Sequence, residues 1–332
     1  MHNCYLLLGA GFSRNWGGWL GAEVFEYLIG HRSIRDDPTT RQLLWRFQAT
    51  VGFEGALAEA QAMRERHEPD ADRVLLSLMT ALRDMFREMN EALHLRRFEF
   101  TPRDRERPLS DFLRRFSAIF TLNQDALLES KYLALSNPGD SHNESMIERG
   151  WTFPGMRLVL DDAASRRLPK EFGTWVPADT REIASDRQPI FKLHGSSKWR
   201  ESESSDLMIL GGGKAAAIRQ SVLLNWYSEE FSRMLFRPNS RLMIIGYGFR
   251  DPHINQIVLS AMRQGLKTFV VDPLGHDAAR STNSLLPGVV GYRLSEFEEV
   301  WRDSLIGASR RALSETFGTD EVERSKLEGF LA

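Results

Sequence analysis

Short runs of consecutive apolar residues alternate along this chain with longer stretches in which apolar residues return every three or four positions. Five of the runs read as strands: 5–8, 118–122, 189–193, 242–245 and 268–271. Each is apolar nearly throughout, as a parallel strand covered on both faces is, and each ends at a glycine, Asn, His or Asp. Between them the period is helical. Leu20, Val24, Phe25, Leu28 and Ile29 line one face ahead of Gly30. Val74, Leu75, Leu78, Met79, Leu82, Met85, Phe86, Met89 and Leu93 form the clearest stripe, which suits a core or insertion helix or an oligomer contact. Helices are also expected over 126–135, stopped by Ser136-Asn137-Pro138-Gly139-Asp140, and over 222–236. Another is expected over 251–264, where Asp251 suits the N-cap and Pro252 the first helical position. Residues 96–108 and Gly211-Gly212-Gly213 read as loops. The stretch 140–190, with Trp151, Phe153, Trp175 and several prolines, reads as loop and short elements close to a site. Phe297, Val300, Trp301, Leu305, Ala312 and Leu313 mark a closing amphipathic region.

Strands alternating with helices predict an α/β fold: a Rossmann-like, mostly parallel sheet with helices on both faces and an inserted helical subdomain. The expected division is one domain over 1–295, with a helical insertion over about 31–110 and a second over about 200–237. A C-terminal helical region over 296–332 follows. In such sheets ligands bind beyond the carboxyl ends of the strands.

The 332 residues allow one large domain with insertions or two modest ones. A hydrophobic content of 42% and a formal charge of −2 describe an ordinary soluble protein and call for neither nucleic acid nor an anionic membrane. Arg96-Arg97 and the basic stretch 103–107 are interspersed with acids and read as a solvated loop. The one cysteine, Cys4, excludes a disulfide framework and a cysteine-ligated zinc site within one chain. The first residues show no signal peptide, and no apolar run approaches the roughly 18 residues of a membrane span. A cytoplasmic location is the expectation.

Four segments carry chemistry, all at strand ends, so they can share one rim. Gly9-Ala10-Gly11-Phe12-Ser13 and Gly246-Tyr247-Gly248-Phe249 each turn a strand into a helix, a geometry in which backbone N–H groups receive a pyrophosphate. The first is not a full dinucleotide fingerprint, because Arg14 stands where a third glycine is expected. A tight turn without a ligand is the alternative. Asn123 can hydrogen-bond a ribose hydroxyl, hold a carboxamide or align a water without titrating. Asp125 can orient Asn123 or face positive charge on a sugar; the two can equally stabilise a turn. His194, followed by Gly195, can take a proton from a ribose hydroxyl at neutral pH. His253 stands beside a helix start and is a second candidate, as a ligand contact. Asp272, after a strand, can contact a ribose or serve as a turn residue before Pro273.

The order glycine turn, Asn, His-Gly, second glycine turn resembles the sirtuin-like (SIR2) superfamily, and most of all the bacterial SIR2-like branch whose members degrade NAD. In sirtuins the segment matching Thr121-Leu122-Asn123-Gln124-Asp125 reads Thr-Gln-Asn-Ile-Asp and lies in the nicotinamide pocket. Gly246-Tyr247-Gly248-Phe249-Arg250-Asp251-Pro252-His253 is similar to a frequent spelling in the SIR2-like branch, where it binds the phosphate and ribose region. The resemblance implies that Gly9, Ala10, Gly11, Phe12, Ser13, Gly246, Tyr247, Gly248, Asp251, His253 and Asp272 hold NAD. It casts Asn123, His194 and Asp125 as catalytic. The two Cys pairs around zinc of eukaryote-like sirtuins are absent, as is their Arg-Pro-Asp-Phe-Arg-like segment, where this chain has Arg14-Asn15-Trp16-Gly17-Gly18. Both count against protein deacylation, and no metal is expected.

The expectation is therefore an NAD glycohydrolase giving nicotinamide and ADP-ribose, with NAD as substrate. Because constitutive activity is toxic, the resemblance implies a role in anti-phage defence under the control of homo-oligomerisation or a separately encoded partner, such as a HerA-like ATPase or a short Argonaute. Three alternatives stay open: a sirtuin-type lysine deacylase, a non-catalytic NAD or ADP-ribose binding module, and hydride transfer on a Rossmann fold.

Overall fold

The computed structural model describes residues 3–100, 108–132, 150–159, 173–202, 205–281 and 294–332. In chain order the strands are β1 (Cys4–Leu8), β2 (Ala118–Thr121), β3 (Trp151–Thr152), β4 (Met156–Val159), β5 (Thr174–Pro177), β6 (Gln188–Lys192), β7 (Gly195–Ser202), β8 (Ser205–Met208), β9 (Arg241–Ile245), β10 (Lys267–Val271) and β11 (Leu305–Ser309). Seven form one parallel sheet in the order β11-β10-β9-β1-β2-β6-β3. All five expected strands lie in it, with bounds shifted by a residue at most.

From β1 the chain winds outward through β2 and β6 in one direction and later through β9, β10 and β11 in the other. The winding reverses between β1 and β9, where doubly wound sheets open their ligand crevice. Leu8 pairs with Thr121 and Ile245, Thr121 with Lys192, and Val271 with Ile245 and Ser309. The carboxyl ends are therefore level, and Gly9, Asn123, His194, Gly246 and Asp272 follow them along one rim. β1, β2 and β6 are buried at every position, as strands covered on both faces are. Phe120 and Phe191 stack across β2 and β6 with centroids 5.0 Å apart.

The connection from β1 to β2 is helical, as its periodicity predicts: α1 (Ala10–Arg14), α2 (Gly21–Gly30), α3 (Arg32–Arg35), α4 (Pro38–Gln48), α5 (Phe53–Glu65), α6 (Ala71–His94) and α7 (Leu109–Arg114). α6 carries the long stripe, whose residues pack mainly against the neighbouring insertion helices. That places the stripe in the core of this chain; all of its members except the half-buried Met79 are buried.

Two elements differ from expectation, the helix from 126 and the chain beyond 295, while the short elements expected over 140–190 are strands. The helix expected from 126 is, in its described part, a π-helical turn at Leu128–Tyr132. There Glu129 is drawn inward by Lys192, 2.6 Å away. The stretch 140–190 contains, among its described residues, β3, β4, β5 and most of β6. β4 and β5 join β7 and β8 in a second, four-stranded sheet. Beyond 237 the second insertion's elements give way to β9; before it, α8 (Lys214–Gln220) and the expected helix α9 (Val222–Leu235) follow β8. α10 (Pro252–Arg263) and α11 (Ala278–Ser281) follow β9 and β10. The chain beyond 295, read as helical, carries the end of α12 (Leu294–Ser304), α13 (Leu313–Thr316) and α14 (Glu321–Gly329), and also β11. β11 is an edge strand of mixed burial, so its sequence lacks the apolar run that marks the inner strands. The expected helix stop over 136–140 and the basic stretch 103–107 lie outside the described residues. No helix among the described residues is long and apolar enough to cross a membrane.

Candidate functional site

The two glycine turns are built against each other. The Gly9 N–H donates to Ile245 O at 3.0 Å and the Gly11 N–H to Gly246 O at 2.9 Å. A Cβ on Gly9 would stand 2.5 Å from Gly246 O, and one on Gly246 would stand 2.4 Å from both Gly11 C and Phe12 N. Gly246 also has φ +62°, a conformation glycine adopts at little cost. These glycines let two backbones touch at the switch point, so the N–H groups of Gly9 and Gly11 serve the joint. The exposed parts of the joint are Ala10 and Gly248. The Phe12 ring is buried in the core, 5.0 Å from Trp16. Tyr247 is buried too, its Oη donating to Asn255 Oδ1 at 2.7 Å and thereby fixing the turn to α10.

Asn123 lies beside this joint. Its Nδ2 donates to Gly9 O at 2.9 Å and to Ser13 Oγ at 3.0 Å. Both amide hydrogens point into the first turn, which presents the carbonyl Oδ1 as the atom able to accept from a water or a sugar hydroxyl. Ser13 is buried and acts here as the partner of Asn123. The Asp125 carboxylate accepts from the Leu127 N–H at 3.0 Å, closing its own turn, and no bond joins it to Asn123 among the described residues. Asp272 behaves similarly, accepting from the Leu274 N–H at 2.9 Å next to β11.

At His194 the chain leaves the parallel sheet for the second one. The corner requires Gly195, whose φ is +72° and whose added Cβ would stand 2.0 Å from Leu207 O in β8. His194 is 2% exposed. Its Nε2 lies 3.1 Å from Nε2 of His253, a half-buried residue on the first turn of α10. Asp251 caps that helix by position, as expected. Its carboxylate, however, makes no capping bond and instead accepts from Lys214 Nζ at 2.9 Å. Lys214 in turn donates to Glu54 of α5 at 2.8 Å, so one ammonium ties both insertions to the rim.

Charge and burial set the protonation states here. Burial pushes the His194 imidazole down to about 3, against the pull of Asp251, and burial lowers His253 as well. Burial opposes the Asp251 charge, but the groups it faces, the His194 imidazole and the Lys214 ammonium among them, hold the carboxyl below its usual range. Burial likewise opposes the Lys214 charge, and Asp251 and Glu54 more than offset it. A histidine kept neutral when folded is protonated first in the unfolded chain. Stability from His194 is therefore complete above about pH 6.5 and falls, by about 1.4 kcal/mol per pH unit, as pH drops towards 3. The urea midpoint is expected to decrease from pH 7 to pH 5, and His194→Gln to flatten that decline. Equal slopes for the two proteins would contradict it.

Behind the corner lies a network the sequence reading missed. Lys192 Nζ donates to Glu129 Oε1 at 2.6 Å, to Asp125 O at 2.6 Å and to Ser196 Oγ at 3.0 Å. Lys192, Glu129 and Ser196 are all at most 1% exposed. Removing one partner of such a pair strands a buried charge. The network thus fixes the segment on both sides of His194. A lysine at the end of an otherwise apolar strand was the available signal. Glu129, Glu54 and Lys214 carried no local one.

His194, His253 and Asp251 offer three donor atoms within 4.8 Å of one another, a set of the kind zinc accepts. The Lys214 ammonium beside Asp251 opposes a second positive charge, so the cluster fits a neutral histidine pair next to an ion pair better than a resident metal. The arrangement as a whole brings a backbone joint at the switch point, an amide acceptor and a buried, neutral imidazole to one rim.

No curated protein matches the chain. A family model described as a SIR2-like domain matches residues 117–283, half of the chain, and takes in Asn123, Asp125, His194, Lys214, the Gly246 turn, His253 and Asp272, while the Gly9 turn lies before it. With the parallel sheet and the level rim that carries these residues, this match shows that the chain belongs to the SIR2-like domain family.

Proposed function

We propose that this protein is an NAD glycohydrolase that cleaves the nicotinamide–ribose bond to give nicotinamide and ADP-ribose. SIR2-like domains use NAD. The observation that carries the finer reading is the placement of Asn123 and His194 at the level ends of adjacent strands, next to the joined glycine turns. Cleavage passes through an oxocarbenium-like transition state with a leaving group that already carries positive charge. The protein then has to place the sugar, present a water and accept a proton. Asn123 Oδ1 orients the water or a ribose hydroxyl, His194 accepts the proton once a movement at the rim relieves the burial that holds its imidazole down at about 3, and Ala10 and Gly248 form the exposed edge under the pyrophosphate. Asp125 supports the loop of Asn123 through its turn rather than by direct contact.

His194 is too buried to meet a ribose without a movement at the rim, which supports an enzyme that is held back until a trigger acts. This burial and the toxicity of unrestrained cleavage support control by self-association or by a separately encoded partner, in a defence role that depletes NAD. The test is NAD turnover by the purified chain over a range of protein concentration, with products separated by chromatography. Nicotinamide and ADP-ribose in equal amounts are expected. O-acyl-ADP-ribose formed with an acyl-lysine peptide would favour a deacylase instead, and NAD bound but intact at every concentration a binding module.

A further inference from the structure

The joined turns withdraw two backbone N–H groups from the anion site. A pyrophosphate carries two negative charges, yet the N–H groups of Gly9 and Gly11 already serve the joint. The rim also carries two carboxylates, Asp251 and Glu54, within reach of one another through Lys214. Unless a cation is redirected, these acids repel an incoming phosphate.

Among the described residues several cations lie along the rim, with Arg310 and Arg311 just beyond β11 at its far end. Arg250 is exposed on the Gly246 turn. Lys214 is the one enclosed with the reacting groups, its side chain 15% exposed and bonded to the carboxylate that precedes His253. It sits at the first position of α8, directly after Gly211-Gly212-Gly213, in a loop that packs on α5. An added Cβ on Gly212 would stand 2.5 Å from Ala58 Cβ. A long, unbranched side chain at such a position can turn its ammonium through several ångströms while the backbone stays in place.

Resting on the NAD reading, we propose that Lys214 is the phosphate-binding cation of this site, and that binding of a nucleotide diphosphate draws its ammonium away from Glu54. In the ligand-free protein Glu54 and Asp251 share that ammonium. With a diphosphate present, Lys214 bonds a phosphate oxygen and keeps Asp251, and the tie between α5 and the rim opens. Substrate occupancy is thereby coupled to the helical insertion through one residue, and Glu54 acts as the competitor that keeps affinity low.

The test is calorimetric binding of ADP-ribose, and of nicotinamide riboside as a probe without phosphate, to the full chain. Lys214→Met is expected to weaken ADP-ribose by about tenfold or more and to leave nicotinamide riboside within about twofold, while Lys214→Arg retains most of the affinity. Glu54→Gln, which removes the competitor and leaves Lys214 in place, is expected to tighten ADP-ribose by about threefold or more. Should Lys214→Met fail to fold, Glu54→Gln decides: unchanged or weaker ADP-ribose binding overturns the proposal. Wild-type affinity in a folded Lys214→Met also overturns it and leaves the NAD reading standing. Absence of ADP-ribose and NAD binding to the wild type removes both.

Discussion

His194→Ala is expected to lower NAD cleavage by roughly 10²- to 10⁴-fold, the range for loss of a positioned general base, with ADP-ribose affinity far less affected. The imidazole lies two residues beyond the end of β6, and its Nε2 is 3.1 Å from another ring nitrogen, that of His253. With His194 gone, His253 remains on α10, but a different element holds it and its ring does not occupy the strand-end corner. Asn123→Ala tests the other half. Its loss removes both the Oδ1 acceptor and the two bonds that hold Gly9 O and Ser13 Oγ, so affinity and rate should fall together. Single-turnover cleavage beside ADP-ribose titration separates the two patterns. Cleavage by His194→Ala within about tenfold of wild type would mean that the imidazole is structural and that the base lies elsewhere.

How much of this was legible in the sequence depended on whether the information was local. The five inner strands are apolar nearly end to end, and the helical insertion repeats with a clean period, so both could be read from neighbouring residues. The rim followed, because each motif abuts a strand end. Residues acting over long separations could not be read this way. Lys214 lies 160 positions from Glu54 and 37 from Asp251, and the ion pairs that unite them leave no periodic trace. The same limit applies to the role of the glycines. Gly9-Ala10-Gly11 announces a turn that needs room, but the sequence does not say whether a phosphate or another backbone fills it; here it is the backbone of Gly246. Asp251 illustrates a third case. Its helix-start position was readable, whereas the diversion of its carboxylate to Lys214 depends on the fold. β11 went unread because an edge strand of mixed burial has no strict pattern to show.

Gly246→Ala is expected to destabilise the protein by at least about 3 kcal/mol, through two separate effects. A residue with a Cβ at φ +62° carries a backbone penalty of roughly 1–2 kcal/mol. The new methyl group would also stand 2.4 Å from Gly11 C and Phe12 N, which are backbone atoms that no side-chain rotation can move aside. Relief requires β1 and β9 to separate at their carboxyl ends, breaking the Gly11 N–H bond to Gly246 O and displacing the Gly9 carbonyl on which Asn123 rests. Gly248→Ala supplies the contrast. Its Cβ would meet nothing nearer than the Arg250 side chain at 4.0 Å, so stability should stay within about 0.5 kcal/mol of wild type. Yet Gly248 is exposed where a pyrophosphate would lie, and a methyl group there should weaken ADP-ribose while sparing the fold. Urea unfolding and ADP-ribose titration of both variants therefore divide the second glycine turn into a residue that joins two strands and a residue that admits a ligand. A Gly246→Ala variant as stable as wild type would show that the two turns are not locked together, and with that the platform under the nucleotide would lose its physical basis.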